Sequence, residues 1–274
     1  MDSSDQQYRP ERVCTDPLPE RDSDTSFFAA EYRLRAGDVD QAMNLRLDGV
    51  ARYLQDVAND NLSATTFGST DPFWVVRRTV IDVLQPISWP ASIRLERWCS
   101  ALSTRWANMR VRLTAEDETD RLNPVVRAPG LIETEAFWVN VNENGMPSRI
   151  SDDGFASLAS MTDEHRLRWR SMHVHCTSDI EEAVMLPDRV HVLRSTDFDP
   201  FQHMNNSTYW VVIEDELDAH PDLATNPHRA VIEYLRPIAP GAHVTVRRHR
   251  AGNELRVWMM VDEQIVTTAT VTAL

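Results

Sequence analysis

Two carboxylates, an imidazole and three amides crowd into one stretch, Thr196-Asp197-Phe198-Asp199-Pro200-Phe201-Gln202-His203-Met204-Asn205-Asn206-Ser207-Thr208-Tyr209, at the entrance to a helical pattern. A helix N-terminus carries unpartnered backbone N–H groups and a partial positive charge, so it can hold a carbonyl oxygen as negative charge develops there. A carboxylate or imidazole beside it can activate water. Asp199 and His203 are therefore candidates for activating water and Asn205 for polarising a carbonyl, with Asn206, Gln202 and Phe201 as candidates for contacting the bound group. Each type also has an ordinary structural use: Asp and Asn cap helices and form turns, and a loop histidine can simply be solvated. Glu214, further along the same pattern, reads as an exposed helical side chain.

Such a cluster needs elements to hold it, and the chain supplies the same set twice. Phe27 to Leu34 alternates like a strand, and Leu47, Val50, Leu54, Val57 and Ala58 then recur at helical spacing. Four β-branched and aromatic runs follow, up to Val141. After a connecting segment with some helical character, a strand near Val190, a helical stripe of Tyr209, Val212, Ile213 and Leu217, and four more strand signals repeat that order. Asp38-Val39-Asp40 corresponds to Asp197-Phe198-Asp199. Likewise Val80-Ile81-Asp82-Val83-Leu84-Gln85-Pro86-Ile87 corresponds to Val231-Ile232-Glu233-Tyr234-Leu235-Arg236-Pro237-Ile238, with five of the eight positions identical. This predicts an internal duplication. A helix followed by antiparallel strands can bury its stripe inside a curved sheet, and two such units can pair edge to edge into one continuous sheet.

The duplication acts as an internal control on the cluster. In the first copy Asn44 stands where His203 stands, and Arg46-Leu47 replaces Asn205-Asn206. The turn-forming aspartates persist while the imidazole and the amide pair do not, which points to one catalytic copy and one that shapes a cavity.

Composition narrows the partners. The 274 residues carry a net charge of −14, which argues against a general affinity for nucleic acid or an anionic membrane. All 28 basic residues are arginine. Cys14, Cys99 and Cys176 have neither disulfide-framework nor zinc spacing, so no metal or other cofactor is expected and a reducing cytoplasm fits. His173-Val174-His175-Cys176 lacks a second ligand pair at metal-site spacing. The polar, acidic N-terminus reads as a flexible lead without a signal-peptide core, and no apolar run is long enough to span a bilayer. The expected organisation is a lead over 1–26, a first domain over 27–150, a linker over 151–185 and a second domain over 186–274.

The stretch from Asp197 to Glu214 resembles the helix-entry motif of hot-dog thioesterases, an Asp-x-Asp turn leading into His-x-Asn-Asn-x-x-Tyr. The tandem arrangement, with Phe73 to Arg78, Trp98-Cys99 and Phe137-Trp138-Val139 in the first copy, resembles the acyl-acyl-carrier-protein thioesterases of plants and bacteria. The resemblance implies an α+β double hot-dog, each unit a curved antiparallel sheet wrapped around a central helix. It also implies hydrolysis of a fatty acyl thioester of acyl carrier protein, or of coenzyme A, with a homodimer left open. Carried over by position, Asp199 matches the family's turn carboxylate and His203 its histidine, which implies that Asp199 either activates the water or attacks to give an anhydride while His203 orients the water or substrate. Two departures stand out: Phe201 occupies the place of an asparagine, and Pro237-Ile238 the place of a Glu-Cys pair, in the plant enzymes. A hot-dog enoyl-thioester hydratase and a non-enzymatic acyl-binding protein are the alternatives, although the hydratase signature Gly-Asp-x-Asn-Pro is missing.

Overall fold

The computed structural model describes residues 16–65, 67–116, 118–172, 184–225 and 227–274. In the first half, β1 (Phe28–Arg33) is followed by α1 (Leu47–Ser63), the one-turn α2 (Phe67–Thr70), β2 (Trp74–Gln85), β3 (Ser92–Leu102), β4 (Trp106–Ala115) and β5 (Gly130–Asn140). A short α3 (Asp152–Ala159) follows. The second half runs β6 (Val184–His191), α4 (Asn206–Ala219), α5 (Pro221–Ala224), β7 (His228–Tyr234), β8 (Val244–Ala251), β9 (Glu254–Val261) and β10 (Gln264–Ala273). The second unit's first strand thus begins upstream of both the expected strand near Val190 and the expected boundary at 186.

The strands form one sheet in the order β1-β3-β4-β5-β2-β7-β10-β9-β8-β6. Each half repeats the same internal order, and the halves meet where β2 pairs antiparallel with β7. This is the tandem hot-dog expected from the sequence. In the β2–β7 pairing Val80 faces Val231, its own counterpart in the repeat, so a local twofold axis passes through that pair. The same symmetry sets Asp82 opposite Arg229 and Arg78 opposite Glu233. Arg229 grips Asp82 through two bonds of 2.6 and 2.7 Å, and Arg78 approaches Glu233 at 3.5 Å. The like charges that the repeat places at Asp82 and Glu233 therefore become two ion pairs across the seam.

Helices α1 and α4 pack against each other and against the sheet. Leu47, Val50 and Val57 of α1 and Tyr209, Val212, Ile213 and Leu217 of α4 are buried in one core with Ile81, Leu95, Ile132, Leu255 and Val271 from the strands. Helix α4 stops at His220, where Pro221 opens the next turn.

The opposite face of the sheet is covered by parts of the N-terminal lead and of the connecting segment. The lead was expected to be flexible over 1–26, yet from Asp16 onward it is tied down: the Asp16 carbonyl accepts from Arg229 at 2.7 Å, the Pro19 carbonyl accepts from Arg110, and Arg112 pairs with Glu20 at 3.0 Å. The cause is donor supply, because buried guanidinium groups must place their remaining N–H groups and the lead's carbonyls accept them. The linker docks in the same way. The Arg170 carbonyl accepts from Arg78 at 2.7 Å, and the Ser171 hydroxyl and the Met172 N–H donate to Glu233 at 2.6 and 2.7 Å. Helix α3 packs with Cys99, Leu102 and Met109 and so belongs physically to the first unit. Among the described residues no helix is long and apolar enough to cross a membrane.

Candidate active site

The cluster read from the sequence is a tight turn whose main bonds the first copy repeats. Asp199 Oδ1 accepts the Phe201 and His203 N–H groups at 2.9 and 3.0 Å, and the Asp199 N–H donates to the His203 carbonyl at 2.8 Å. In the first copy Asp40 Oδ1 accepts the Asn44 N–H at 2.8 Å, and the Asp40 N–H donates to the Asn44 carbonyl at 2.8 Å. Both turns need one left-handed residue, Gln202 (φ 63°) in one and Met43 (φ 67°) in the other. Asp199 Oδ2 takes no hydrogen bond among the described residues, so one oxygen builds the turn and the other is left over. His203, Gln202 and Phe201 are exposed, Phe201 to 76 %.

The turn is held from below by the segment after β7. The Met204 N–H donates to the Ile238 carbonyl at 2.8 Å, just as Leu45 donates to Ile87 at 2.8 Å in the first copy. Pro237-Ile238, standing where the plant enzymes have Glu-Cys, thus contributes an apolar side chain and a backbone carbonyl. Cys99 is buried in the first unit, with burial pushing its thiol up to about 12. Cys14, Cys176 and the His173-Val174-His175-Cys176 stretch lie outside the described residues.

Asn205 is the N-cap of α4. Its Oδ1 accepts the Ser207 N–H at 2.9 Å, the Ser207 hydroxyl at 2.8 Å and the Gln55 side-chain amide at 3.1 Å. Gln55 lies on α1 at the ninth helical position, and its counterpart on α4 is Glu214, which accepts the Leu47 N–H at the start of α1. Each helix therefore attends the N-terminus of the other, one with an amide and the other with a carboxylate. The Asn206 N–H, symmetry mate of the Leu47 N–H, has no acceptor among the described residues.

Glu214 corrects the sequence reading, since it is half-buried between the helices and not an exposed helical side chain. Burial pushes its carboxyl from 4.5 up to about 7, Asp48 and Asp40 add to the rise, and the Leu47 N–H and Arg46 oppose it. A folded-state value above the unfolded one means that this group's contribution to stability is complete at low pH and lost as pH rises through about 7. Glu214→Gln keeps an oxygen for Leu47 and cannot ionise. Relative to wild type, this variant is expected to gain up to about 3 kcal/mol between roughly pH 4 and pH 8, measured as the difference in urea unfolding.

Gln55, Asn205 and Glu214 line a shared polar cleft between the helix starts. Its four arginines are all neutralised: Arg35 by Asp56, Arg46 by Asp48, Arg52 by Asp38 and Asp48, and Arg194 by Asp197. The next turns of α1 beyond Gln55 line a second, apolar cavity. Ala58 and Leu62 line it from α1, together with Phe67, Trp74, Met109 and Trp138. Gln55, Ala58 and Leu62 share one face of the helix by their i, i+3, i+7 spacing. In the second copy the counterpart of Ala58 is Leu217, a buried larger side chain at the same helical position.

Sequence reasoning missed Gln55 because an amide in the middle of a helix carries no local signal. Aligning α1 with α4 at the spacing that relates Asp38 to Asp197 pairs it with Glu214 and could have found it.

The acyl-ACP thioesterase N-terminal domain model matches residues 25–158, and the C-terminal domain model matches residues 180–272. Uncharacterized proteins from two Mycobacterium tuberculosis strains are each 40 % identical over 253 residues, covering 92 % of this chain and 94 % of the relative. Similar folds are found in an acyl-ACP thioesterase from Bacteroides thetaiotaomicron (16 % identity, TM-score 0.67, 90 % of this chain and 97 % of that one). The 12:0-ACP thioesterase from Umbellularia californica is also similar (17 % identity, TM-score 0.63, 90 % and 96 %). With both halves of the family matched in order on the two hot-dog units, the chain belongs to the acyl-ACP thioesterases and is a thioester hydrolase.

Proposed function

We propose that the protein releases a free fatty acid from the phosphopantetheine thioester that acyl carrier protein and coenzyme A share, with the reacting carbonyl at the start of α4 and the chain in the cavity of the first unit. The observation that carries this reading is the Gln55–Asn205 bond, which joins the N-terminus of α4 to the face of α1 that lines the apolar cavity. The Asn206 N–H, Gln55 and Asn205 are the polar groups available to a developing oxyanion. Asp199, through Oδ2, takes a proton from water while His203 orients it. The water oxygen bonds to the carbonyl carbon, the C–S bond breaks, and the proton passes to the departing sulfur. In a fatty acid biosynthetic cycle this step would end chain growth.

Thiol release from acyl-carrier-protein and acyl-CoA substrates, with hydrated product followed in parallel, tests the reaction. Thiol release is expected, with His203→Ala lowering it ~10²-fold or more. Hydrated product, or binding without turnover, would restore one of the two alternatives. The carrier question is an electrostatic one, because an acidic carrier facing a net charge of −14 needs a free basic patch. The cleft arginines are paired, whereas Arg166, Arg168 and Arg170 on the linker have exposed side chains and would supply such a patch. A KM for the carrier-protein substrate that rises with salt more steeply than that for the CoA substrate would place the carrier there.

Ala58 sets the available depth. Ala58→Leu, which copies the second unit, is expected to lower kcat/KM for long acyl chains by ~10-fold or more while sparing short ones, read from a chain-length series.

Glu214 gives a second reading, since a carboxyl near neutral pKa at a helix N-terminus also suits a general base. Loss of turnover in Glu214→Gln with retention in Asp199→Asn would move the chemistry to the start of α1.

A further inference from the structure

The apolar cavity contains one charged side chain that hydrolysis of a plain acyl chain does not use. Alternation along β3 turns Ile93, Leu95, Arg97 and Cys99 toward α1, and the first, second and fourth of these are fully buried core. Arg97 therefore brings a guanidinium onto an apolar face, where it lines the cavity beside Trp74, Met109 and Trp138. Its one hydrogen bond among the described residues goes from Nη1 to Asn61 Oδ1, a neutral acceptor on α1. No carboxylate lies within ion-pair distance of Arg97 among the described residues. Arg97 is half-buried, and the fully buried arginines elsewhere are matched: Arg110 by Glu133, Arg229 by Asp82 and Arg248 by Glu216. Desolvation beside the apolar wall, with no counter-charge, pulls the Arg97 pKa down to about 10. A guanidinium has five N–H donors in a planar fork that suits two carboxylate oxygens, and an unmatched charge in apolar surroundings is costly.

We propose that Arg97 holds a carboxylate at the far end of the substrate's hydrocarbon chain, so that the preferred substrates are ω-carboxyacyl thioesters. The inference rests on the reading that the thioester sits at the start of α4 and the chain enters this cavity. Gln55 and Leu62 mark the two ends of that path, ~10 Å apart by the helical rise, which suits a chain of medium length. A terminal hydroxyl would satisfy hydrogen bonding alone, whereas a carboxylate would satisfy both hydrogen bonding and charge.

The test compares CoA thioesters of roughly ten carbons, chosen to suit that ~10 Å path, ending in methyl, hydroxyl or carboxylate, on wild type, Arg97→Met and Arg97→Lys. Wild type is expected to favour the carboxylate over the methyl end by ~10-fold or more in kcat/KM, since charge-assisted bonds in a dry site discriminate strongly. Arg97→Met should reverse that order, and Arg97→Lys should keep part of the preference. Equal loss on all three substrates in both variants, or a wild-type preference for methyl or hydroxyl ends, would overturn the proposal. If no thioester is hydrolysed, the thioesterase site reading fails separately, and calorimetric binding of the free dicarboxylic acid against the monocarboxylic acid still decides the role of Arg97. Arg97-dependent binding of the monocarboxylic acid, with no ω-carboxyl preference in turnover, would assign the anion to reaction product and overturn the substrate assignment.

Discussion

Asp199→Asn is expected to lower kcat for thioester hydrolysis by ~10²–10⁴ while leaving the fold and KM near wild type. The expectation follows from the division of labour between its two oxygens. Oδ1 holds the turn through the Phe201 and His203 N–H groups, and an asparagine oxygen can accept the same two bonds. Oδ2 is the atom left for chemistry, and the substitution turns it into an amide that cannot take a proton. The first copy provides the control, because Asp40 builds the same turn over Asn44. Asp40→Asn should leave both stability and turnover unchanged. Steady-state kinetics on the two variants, with thermal unfolding alongside, separates a catalytic Asp199 from a merely structural one. Equal turnover in both would remove Asp199 from the reaction.

Asp82→Ala is expected to destabilise the protein by about 3–5 kcal/mol, because it leaves the Arg229 charge buried without its carboxylate. Arg229 is 3 % exposed and meets Asp82 in a paired geometry with bonds of 2.6 and 2.7 Å. The Asp16 carbonyl, which also accepts from Arg229, cannot neutralise the charge. The loss should fall on the seam between units, since Asp82 is on β2 and Arg229 on β7. Urea unfolding of Asp82→Ala, Arg229→Met and the double variant measures it. The double variant should recover most of the loss, as a well-packed apolar pair can replace a buried ion pair at little net cost. Additive losses in the double variant would show that the two side chains act independently.

Much of this architecture was legible in the chain. The two helical stripes and the strand signals after each mapped onto α1, α4 and the strands of each unit, because apolar periodicity is a local property of the sequence. The repeated Asp-x-Asp turns and the Val80 and Val231 segments announced the duplication, and their charges reappear at equivalent positions in the sheet. How the lead and the linker dock on the sheet was not legible, for a physical reason. Their polar, irregular composition carries no sign of the buried guanidinium groups on the sheet that draw in the carbonyls of Asp16, Pro19 and Arg170.

The candidate site divides along the same line. By itself the sequence determined that two related units exist, that only the second has His203 and the Asn205-Asn206 pair, and that the turn carboxylates are common to both. Those are facts of residue identity and spacing. Only the tertiary structure decided that Gln55 of one unit bonds Asn205 of the other, that Glu214 is drawn between the helices, and that Arg97 stands without a carboxylate in an apolar cavity. These depend on which side chains two distant segments bring together across a twofold seam. Burial and pairing set the charge state and reach of such groups, and neither is a property of local sequence.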